Sequence, residues 1–162
     1  MITALGRPMH GNGCRAEPFD ETHRAGLKAA CAEDREIWAI YSTPFDPDHF
    51  DASIDRLVAA PGTCVFALFD GDELAGMSSF LGFDQARQVV EIGGTYYRPH
   101  LRGSGFNRRV KDMMLGRAFG SGIRRVEFRV DARNARSQAA MTKLGAVRDT
   151  VLFAILKDEW PV

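Results

Sequence analysis

The residues whose types and spacing carry the clearest chemistry are His100-Leu101-Arg102-Gly103-Ser104-Gly105-Phe106-Asn107. They join an apolar, β-rich run, Val89–Tyr97, to a stretch of helical period in which Phe106, Val110, Met113, Met114 and Ala118 share a face. Strand, glycine turn and helix start follow one another directly. The first amides of a helix lack intrahelical partners, and the helix dipole adds about half a positive charge there. Gly103 and Gly105 let backbone approach a bulky anion with no Cβ in the way, and Arg102 supplies a forked cationic donor beside them. This stretch suits a phosphate, and we read it as the anchor of a pyrophosphate-bearing cofactor. Better-known glycine loops do not fit. A Walker loop needs Gly-Lys-Ser/Thr, and the dinucleotide fingerprint needs a third glycine or alanine where Arg108 stands. Gly11-Asn12-Gly13 reads as a flexible turn.

Composition narrows the remaining possibilities. The chain has 162 residues, 45% hydrophobic and 26% charged, which is the size and texture of one soluble globular domain. No apolar run approaches the ~20 residues of a membrane span. The first ten residues lack a basic start followed by an apolar core, so no secretory signal is expected and the protein reads as cytoplasmic. Cys14, Cys31 and Cys64 are odd in number and widely spaced, as free thiols in a reducing compartment would be. The four histidines show no metal-ligand spacing, so no metal is expected. Net charge is zero, which argues against a general nucleic-acid binder. The zero hides an asymmetry: residues 1–90 hold 7 Lys+Arg against 14 Asp+Glu, and residues 91–162 hold 14 against 7. This split suits an anionic cofactor on the carboxy-terminal half and a cationic substrate on the other.

The elements that must position the loop can be taken in chain order. Residues 13–17 read as a short first strand. Asp20-Glu21-Thr22-His23 opens a helix with Leu27, Ala30 and Cys31 on its apolar side. A second helical piece carries Ile37, Trp38, Ile40 and Tyr41. Asp46-Pro47 pairs an N-cap residue with proline at the first helical position, ahead of Phe50, Ile54, Leu57 and Val58. Strands follow at residues 64–69 and 74–81, joined by Asp70-Gly71-Asp72, and then at Val89–Tyr97. Gly93-Gly94 within that last strand predicts a bulge or a close backbone approach. After the loop helix come a strand at residues 125–130, a short helix capped by Asn134, and a last strand at residues 151–156. The order β-α-α-β-β-β-α-β-α-β describes an α/β sandwich built on a mixed sheet, in a single domain over residues 1–162.

Residues 91–107, from Glu91-Ile92-Gly93-Gly94-Thr95 through Arg102-Gly103-Ser104-Gly105-Phe106-Asn107, resemble the acetyl-CoA-binding core of the GNAT N-acetyltransferases. Within them the chain most resembles the RimJ/RimL-type ribosomal-protein N-terminal acetyltransferases. Asp131-Ala132-Arg133-Asn134-Ala135-Arg136-Ser137, Lys143-Leu144-Gly145-Ala146 and Leu156-Lys157-Asp158-Glu159-Trp160-Pro161 match that group as well. The resemblance implies a mostly antiparallel central sheet flanked by helices and splayed at a bulge in the fourth strand. It implies that the backbone of Thr95, Tyr96 and Tyr97 pairs with the pantetheine arm of acetyl-CoA. The amides of Arg102, Gly103, Ser104, Gly105, Phe106 and Asn107 would hold the pyrophosphate, and Asn134 would contact the pantetheine side of CoA. Adjacent Tyr96 and Tyr97 point to opposite faces, so at least one belongs to the core. Asn134 also reads as a plain N-cap, and Ser137 as a residue satisfying that first turn.

Acetylating an amine requires its neutral form. A lysine near ~10.4 therefore needs a base far more than an α-amine near ~8. The resemblance places a catalytic glutamate at Glu91, for which an exposed strand residue is the competing reading, and sets Ser137 beside the sulfur as donor to the departing thiolate. Three positions depart from the family pattern. His100 stands where Gln or Arg usually opens the motif, Met141 stands where many members carry a tyrosine acid, and only residues 147–150 separate Gly145-Ala146 from the final strand. The implied activity is acetyl transfer to a primary amine, of a protein N-terminus or a small molecule, by direct attack in a ternary complex. Trp38, Tyr41 and the acidic residues 46–51 are the candidate substrate contacts. The alternative is a catalytically silent acyl-CoA-binding or regulatory domain. Nucleic-acid and membrane partners are not expected, and a homodimer is left open.

Overall fold

Alternation along one central strand divides the apolar residues into two cores. In β3 (Cys64–Asp70), Phe66 and Leu68 pack into one hydrophobic cluster and Val65 and Ala67 into another. Successive strand residues face opposite sides, so these clusters lie on the two faces of the sheet. The computed structural model describes residues 2–149 and 152–159. Their chain order is α1 (Ile2–Leu5), β1 (Met9–Gly11), β2 (Cys14–Pro18), α2 (Glu21–Cys31), a 3₁₀ turn (Glu36–Ile40), α3 (Phe50–Ala59), β3, β4 (Glu73–Asp84) and β5 (Val89–Tyr97). A second 3₁₀ turn (Pro99–Leu101), α4 (Phe106–Gly120), β6 (Arg125–Arg129), α5 (Ala135–Lys143), β7 (Val147–Asp149), β8 (Leu152–Leu156) and a 3₁₀ turn (Lys157–Glu159) complete it. The strands form one eight-stranded sheet in the order β1-β2-β3-β4-β5-β6-β8-β7. Among these described strands only β5 and β6 run parallel.

Helix α4 carries the crossover between those parallel strands and covers one face. Its Phe106, Val110, Met114 and Ala118, spaced by four, are fully buried with Val90, Ile92, Val126 and Phe128 of the sheet. Met113, expected on that stripe, is only partly buried. Helices α2 and α3 cover the other face, with Leu27, Ala30, Cys31, Phe50 and Ile54 packed on Val65, Ala67, Met77 and Tyr96. Each large apolar side chain buried this way contributes ~1.5–3 kcal/mol.

Several boundaries differ from expectation for identifiable reasons. Gly11-Asn12-Gly13 is not a free turn, because it closes a tight hairpin in which Gly11 pairs with Cys14 and Asn12 and Gly13 take φ of 51° and 76°. Asn-Gly in that conformation is a two-residue hairpin signal. The extra strand β1 makes the bulged strand the fifth of the sheet's sequence rather than the fourth. Regular helix in α3 begins at Phe50 and not at Pro47, although Asp46 does cap the turn between them: its carboxylate accepts from the Asp48 amide at 3.1 Å and its carbonyl from the Phe50 amide at 2.8 Å. Val58 is exposed. The helix start expected at Asp20-Glu21-Thr22-His23 is present as α2, with Asp20 as its cap, accepting from the Thr22 amide at 2.8 Å while His23 Nδ1 accepts from the Asp20 amide at 3.1 Å. The short stretch after Ala146 is itself strand: β7 pairs with β8 from Val147↔Ala154 to Asp149↔Leu152. Thr150, Val151 and the closing Trp160-Pro161 lie outside the described residues.

The predicted bulge lies in β5. Met77 pairs with Tyr96 and Ser79 with Gly93, so β5 spends one residue more than β4 across the same interval. Gly94 takes φ of 58° there. The bulge inverts the strand's parity: Val90 and Ile92 face α4, and beyond it Tyr97 does so while Tyr96 faces α2. A Cβ on Gly94 would come no closer than 3.4 Å to Ser79 Oγ, so the cost of a side chain is conformational rather than steric. We expect Gly94→Ala to lower stability by about 1–2 kcal/mol, read as a lower denaturant midpoint at unchanged slope; an unaltered midpoint would mean the bulge tolerates a Cβ.

Candidate active site

The loop between β5 and α4 is held open by its own bonds. Ser104 Oγ donates to the Leu101 carbonyl at 2.7 Å and accepts from the Phe106 amide at 3.3 Å. The Arg102 amide bonds the Pro99 carbonyl at 3.1 Å. The amides of Gly103, Gly105 and Asn107 hold no hydrogen bond among the described residues. Gly103 and Gly105 take φ of 83° and 88°, and a Cβ built on either meets nothing within 4 Å. Two open glycines and three unpartnered amides at the start of a 15-residue helix form a cradle that a Cβ would fill. Phe106 fixes its floor, fully buried and edge-on to Tyr97 at 5.3 Å.

The side chain of Arg102 does not face that cradle. Its Nε donates to the Tyr97 carbonyl at 3.2 Å, Nη1 pairs with Asp34, and Nη2 is buried without a partner among the described residues. Arg109 forks onto Asp70 with two bonds of 2.9 Å, and Arg108 pairs with Asp112 at 3.0 Å. The guanidinium groups around the loop are thus engaged by carboxylates, and the amides and helix dipole remain as anion donors. His100 lies against Glu73 at 3.2 Å.

Next to the cradle the sheet parts. β5 and β6 pair at Val89↔Arg125, Val90↔Val126 and Glu91↔Glu127, and no pairing continues although β6 runs on to Arg129 and β5 to Tyr97. On the parted edge of β5, Tyr41 donates its hydroxyl to the Thr95 carbonyl at 2.9 Å and Arg102 takes the Tyr97 carbonyl. Tyr96 is buried, stacks on Trp38 at 5.0 Å and donates to the Ala30 carbonyl at 2.7 Å. Tyr97 is buried on the other face, its hydroxyl unpartnered among the described residues and its pKa pushed up by burial. Both tyrosine side chains are therefore core residues, and only their backbone faces the gap.

Glu91 follows the parity of the strand before the bulge and points away from α4, toward the α2–α3 side. Its carboxylate lies 3.2 Å from Arg129 Nε and is 17% exposed. Burial, and then the charge of neighbouring Glu127, raise its pKa against the opposing pull of Arg129. A Cβ on Gly93 would stand 2.8 Å from Glu91 Oε1, so Gly93 leaves the carboxylate its room. Glu127 is itself held by Arg125 at 2.9 Å. Asn134 caps α5, its Oδ1 accepting from the Ser137 amide at 3.0 Å. Ser137 is partly exposed in the first turn of α5, and Met141 is buried beneath it.

Three features of this region were not read from sequence: the Tyr41 bond to the Thr95 carbonyl, the Arg129–Glu91 pair, and Lys111. Lys111 is 3% exposed and donates to Thr95 Oγ1 at 3.0 Å. Its spacing of three and seven residues from Met114 and Ala118 places it on the buried stripe, a signal the periodicity already held. Trp38, expected to reach a substrate, is instead buried and donates to the Cys31 carbonyl at 3.1 Å. The acidic residues of this half are partly neutralised, since Asp51 meets Lys28 at 2.6 Å and Asp55 meets Arg24 at 2.7 Å. No group of three or more His, Cys, Asp or Glu among the described residues is placed to hold a metal, and no helix among them is long and apolar enough to cross a membrane.

No curated protein matches the chain. Among solved structures, a candidate acetyltransferase of T. thermophilus superposes with a TM-score of 0.85 at 29% identity, over 95% of this chain and 91% of that one. A probable GNAT-family acetyltransferase of Chromobacterium violaceum gives 0.84 at 27%, over 96% and 88%. Mycobacterium smegmatis RimJ, in complex with CoA-disulfide, shares the fold at 17% identity with a TM-score of 0.78, over 96% and 88%. The acetyltransferase (GNAT) domain matches residues 15–147, most of the chain including the parted strands, the cradle and α5. The chain belongs to the GNAT acetyltransferases.

Proposed function

We infer that this acetyltransferase uses acetyl-CoA to acetylate a primary amine, of a peptide N-terminus or a small molecule, by direct attack with both substrates bound. The observation that carries the reading is the cradle of open glycines and free amides at the head of α4, continuous with the unpaired edge of β5. That the RimJ structure of the same fold holds a CoA derivative supports it. The amides of Gly103, Gly105 and Asn107 bind the pyrophosphate, assisted by the dipole of α4. The β5 edge from Thr95 to Tyr97 orients the pantetheine arm, whose bonds compete with or share those of Tyr41 and Arg102. Bound acetyl-CoA supplies the electrophile, a thioester carbonyl.

The acceptor amine enters from the α2–α3 side, which Glu91 faces and where the chain carries its acidic excess. Glu91 takes a proton from the amine directly or through water, and Arg129 holds its carboxylate in place. Ser137, in the first turn of α5, holds a proton for the departing thiolate, because Met141 cannot donate one. An amine near ~8 is partly neutral at physiological pH and asks little of this base, which favours an α-amino group over a lysine near ~10.4.

Incubation with acetyl-CoA and a panel of peptides, polyamines and amino-bearing antibiotics should release CoA thiol with at least one amine class. Thiol release from none, in a protein shown to bind CoA, would remove the amine-transfer reading. We expect Gly105→Val to weaken CoA binding by about tenfold or more, since a β-branched side chain is strained at that φ and fills the cradle. Calorimetry giving wild-type affinity would refute the loop's role. Glu91→Gln should leave CoA affinity unchanged and lower turnover at neutral pH, by about tenfold with an α-amine and by about 10²–10³-fold with a lysine side chain. Because the Glu91 pKa is raised and the base must be ionised, wild-type turnover should fall on acidification at a pH above the ordinary glutamate value of about 4.3. A profile lacking that acidic limb, or identical in the variant, would exclude Glu91 as base.

A further inference from the structure

Lys111 is the one charged side chain that is buried among the described residues, and acetyl transfer as derived above does not use it. It leaves α4 one turn after Asn107, on the same flank of the helix as the last free amide of the cradle. Its Nζ donates to Thr95 Oγ1 at 3.0 Å, and that oxygen lies 2.7 Å from Ser78 Oγ. The ring of Phe128 lies 5.6 Å away. Thr95 and Phe128 belong to β5 and β6 beyond Glu91 and Glu127, where the two strands last pair. The amine therefore sits where the sheet has parted.

The groups around it are uncharged: Thr95 from β5, Ser78 from β4 and Phe128 from β6. On α4 itself, Asp112 is engaged by Arg108 and Arg109 by Asp70. With no carboxylate to compensate, burial alone holds the Lys111 pKa down to about 7. An ammonium has three N–H donors, and a single acceptor is in place here. A buried amine with donors to spare, aimed into a gap beside an anion cradle, is built for a carbonyl oxygen.

We propose that Lys111 is the polar anchor of the cofactor's arm, donating to an amide carbonyl of the pantetheine between β5 and β6 and taking up a proton as CoA binds. This rests on the acyl-CoA reading above. Asn107 and Lys111 are separated by four residues, about 6 Å along the helix axis, so the pyrophosphate charge and the new carbonyl both favour the ammonium. Binding raises the amine's pKa above its free value. Affinity is then greatest below the free value and falls as pH rises through the range between the two, where a proton must be supplied.

Titration calorimetry with CoA near pH ~8, in buffers of different ionisation enthalpy, reads this uptake directly. The phosphates of CoA are already ionised at that pH, since their last pKa is about 6. We expect an uptake of about one proton and about tenfold weaker binding per pH unit above neutrality for the wild type. Lys111→Met fills the same space without the amine. It should bind CoA about tenfold more weakly below neutrality, show no proton uptake, and melt at a higher temperature, since no uncompensated amine is then buried. CoA binding by the wild type without proton uptake, or uptake retained in Lys111→Met, would overturn the assignment of Lys111 and leave the cradle standing. Failure of the wild type to bind CoA would overturn both.

Discussion

Backbone pairing between β5 and β6 ends at Glu91 and Glu127, and the arrangement of the site follows from that ending. A buried strand edge that loses its neighbour must find other partners, because each unpaired carbonyl or amide costs free energy. β4 satisfies one side of β5 throughout, taking up the extra residue of the bulge at Gly94. The other side turns to side chains, with the Tyr41 hydroxyl on the Thr95 carbonyl and Arg102 Nε on the Tyr97 carbonyl. An edge held this way keeps its shape and still presents hydrogen-bonding groups in a row. The bulge also decides what each side chain meets: it sends Tyr96 toward Trp38 and Tyr97 toward Phe106.

The two cores hold this opening from both faces. α4 is anchored by Phe106, Val110, Met114 and Ala118, so the amides at its start are fixed relative to the strand they continue from. On the opposite face Trp38, Phe45 and Phe50 form a chain of ring contacts under Tyr96, which seats Tyr41 within reach of Thr95. The arginines near the cradle are each paired with an acid, so the cradle's positive potential belongs to backbone rather than to mobile side chains. Backbone donors of that kind need no reorganisation when an anion arrives.

Glu91 and Lys111 stand on opposite sides of β5, and burial moves both toward neutrality, the carboxyl up and the amine down. Glu91 keeps a cationic neighbour in Arg129, which limits its shift and orients it. Lys111 has only hydroxyls and a ring, and its environment is completed by no other charge among the described residues. In the roles proposed for them, a base on one side and an ammonium donor on the other would divide the faces of the strand between acceptor and donor substrates.

The succession of strand, glycine loop and helix was legible in sequence because each part has a local cause: β-rich residues from Val89, glycines where φ is positive, and a four-residue apolar stripe from Phe106. The bulge at Gly93-Gly94 was legible for the same reason, and so were the helix start at Asp20 and the cap at Asn134. Local rules set the start of α3 at Pro47, where Asp46 caps only a turn that becomes regular helix at Phe50, and missed β1, whose three residues are too few to show a period. What only tertiary structure decided are the relations among distant residues. These are the point at which β5 and β6 part, the turning of Arg102 away from the cradle and onto Asp34, the pairing of Glu91 with Arg129, and the burial of Lys111 under Thr95. A single residue's type states what it is able to donate or accept. Which partner it meets, and whether water remains to compete, is set by packing between segments far apart in the chain, and sequence spacing carries no measure of that.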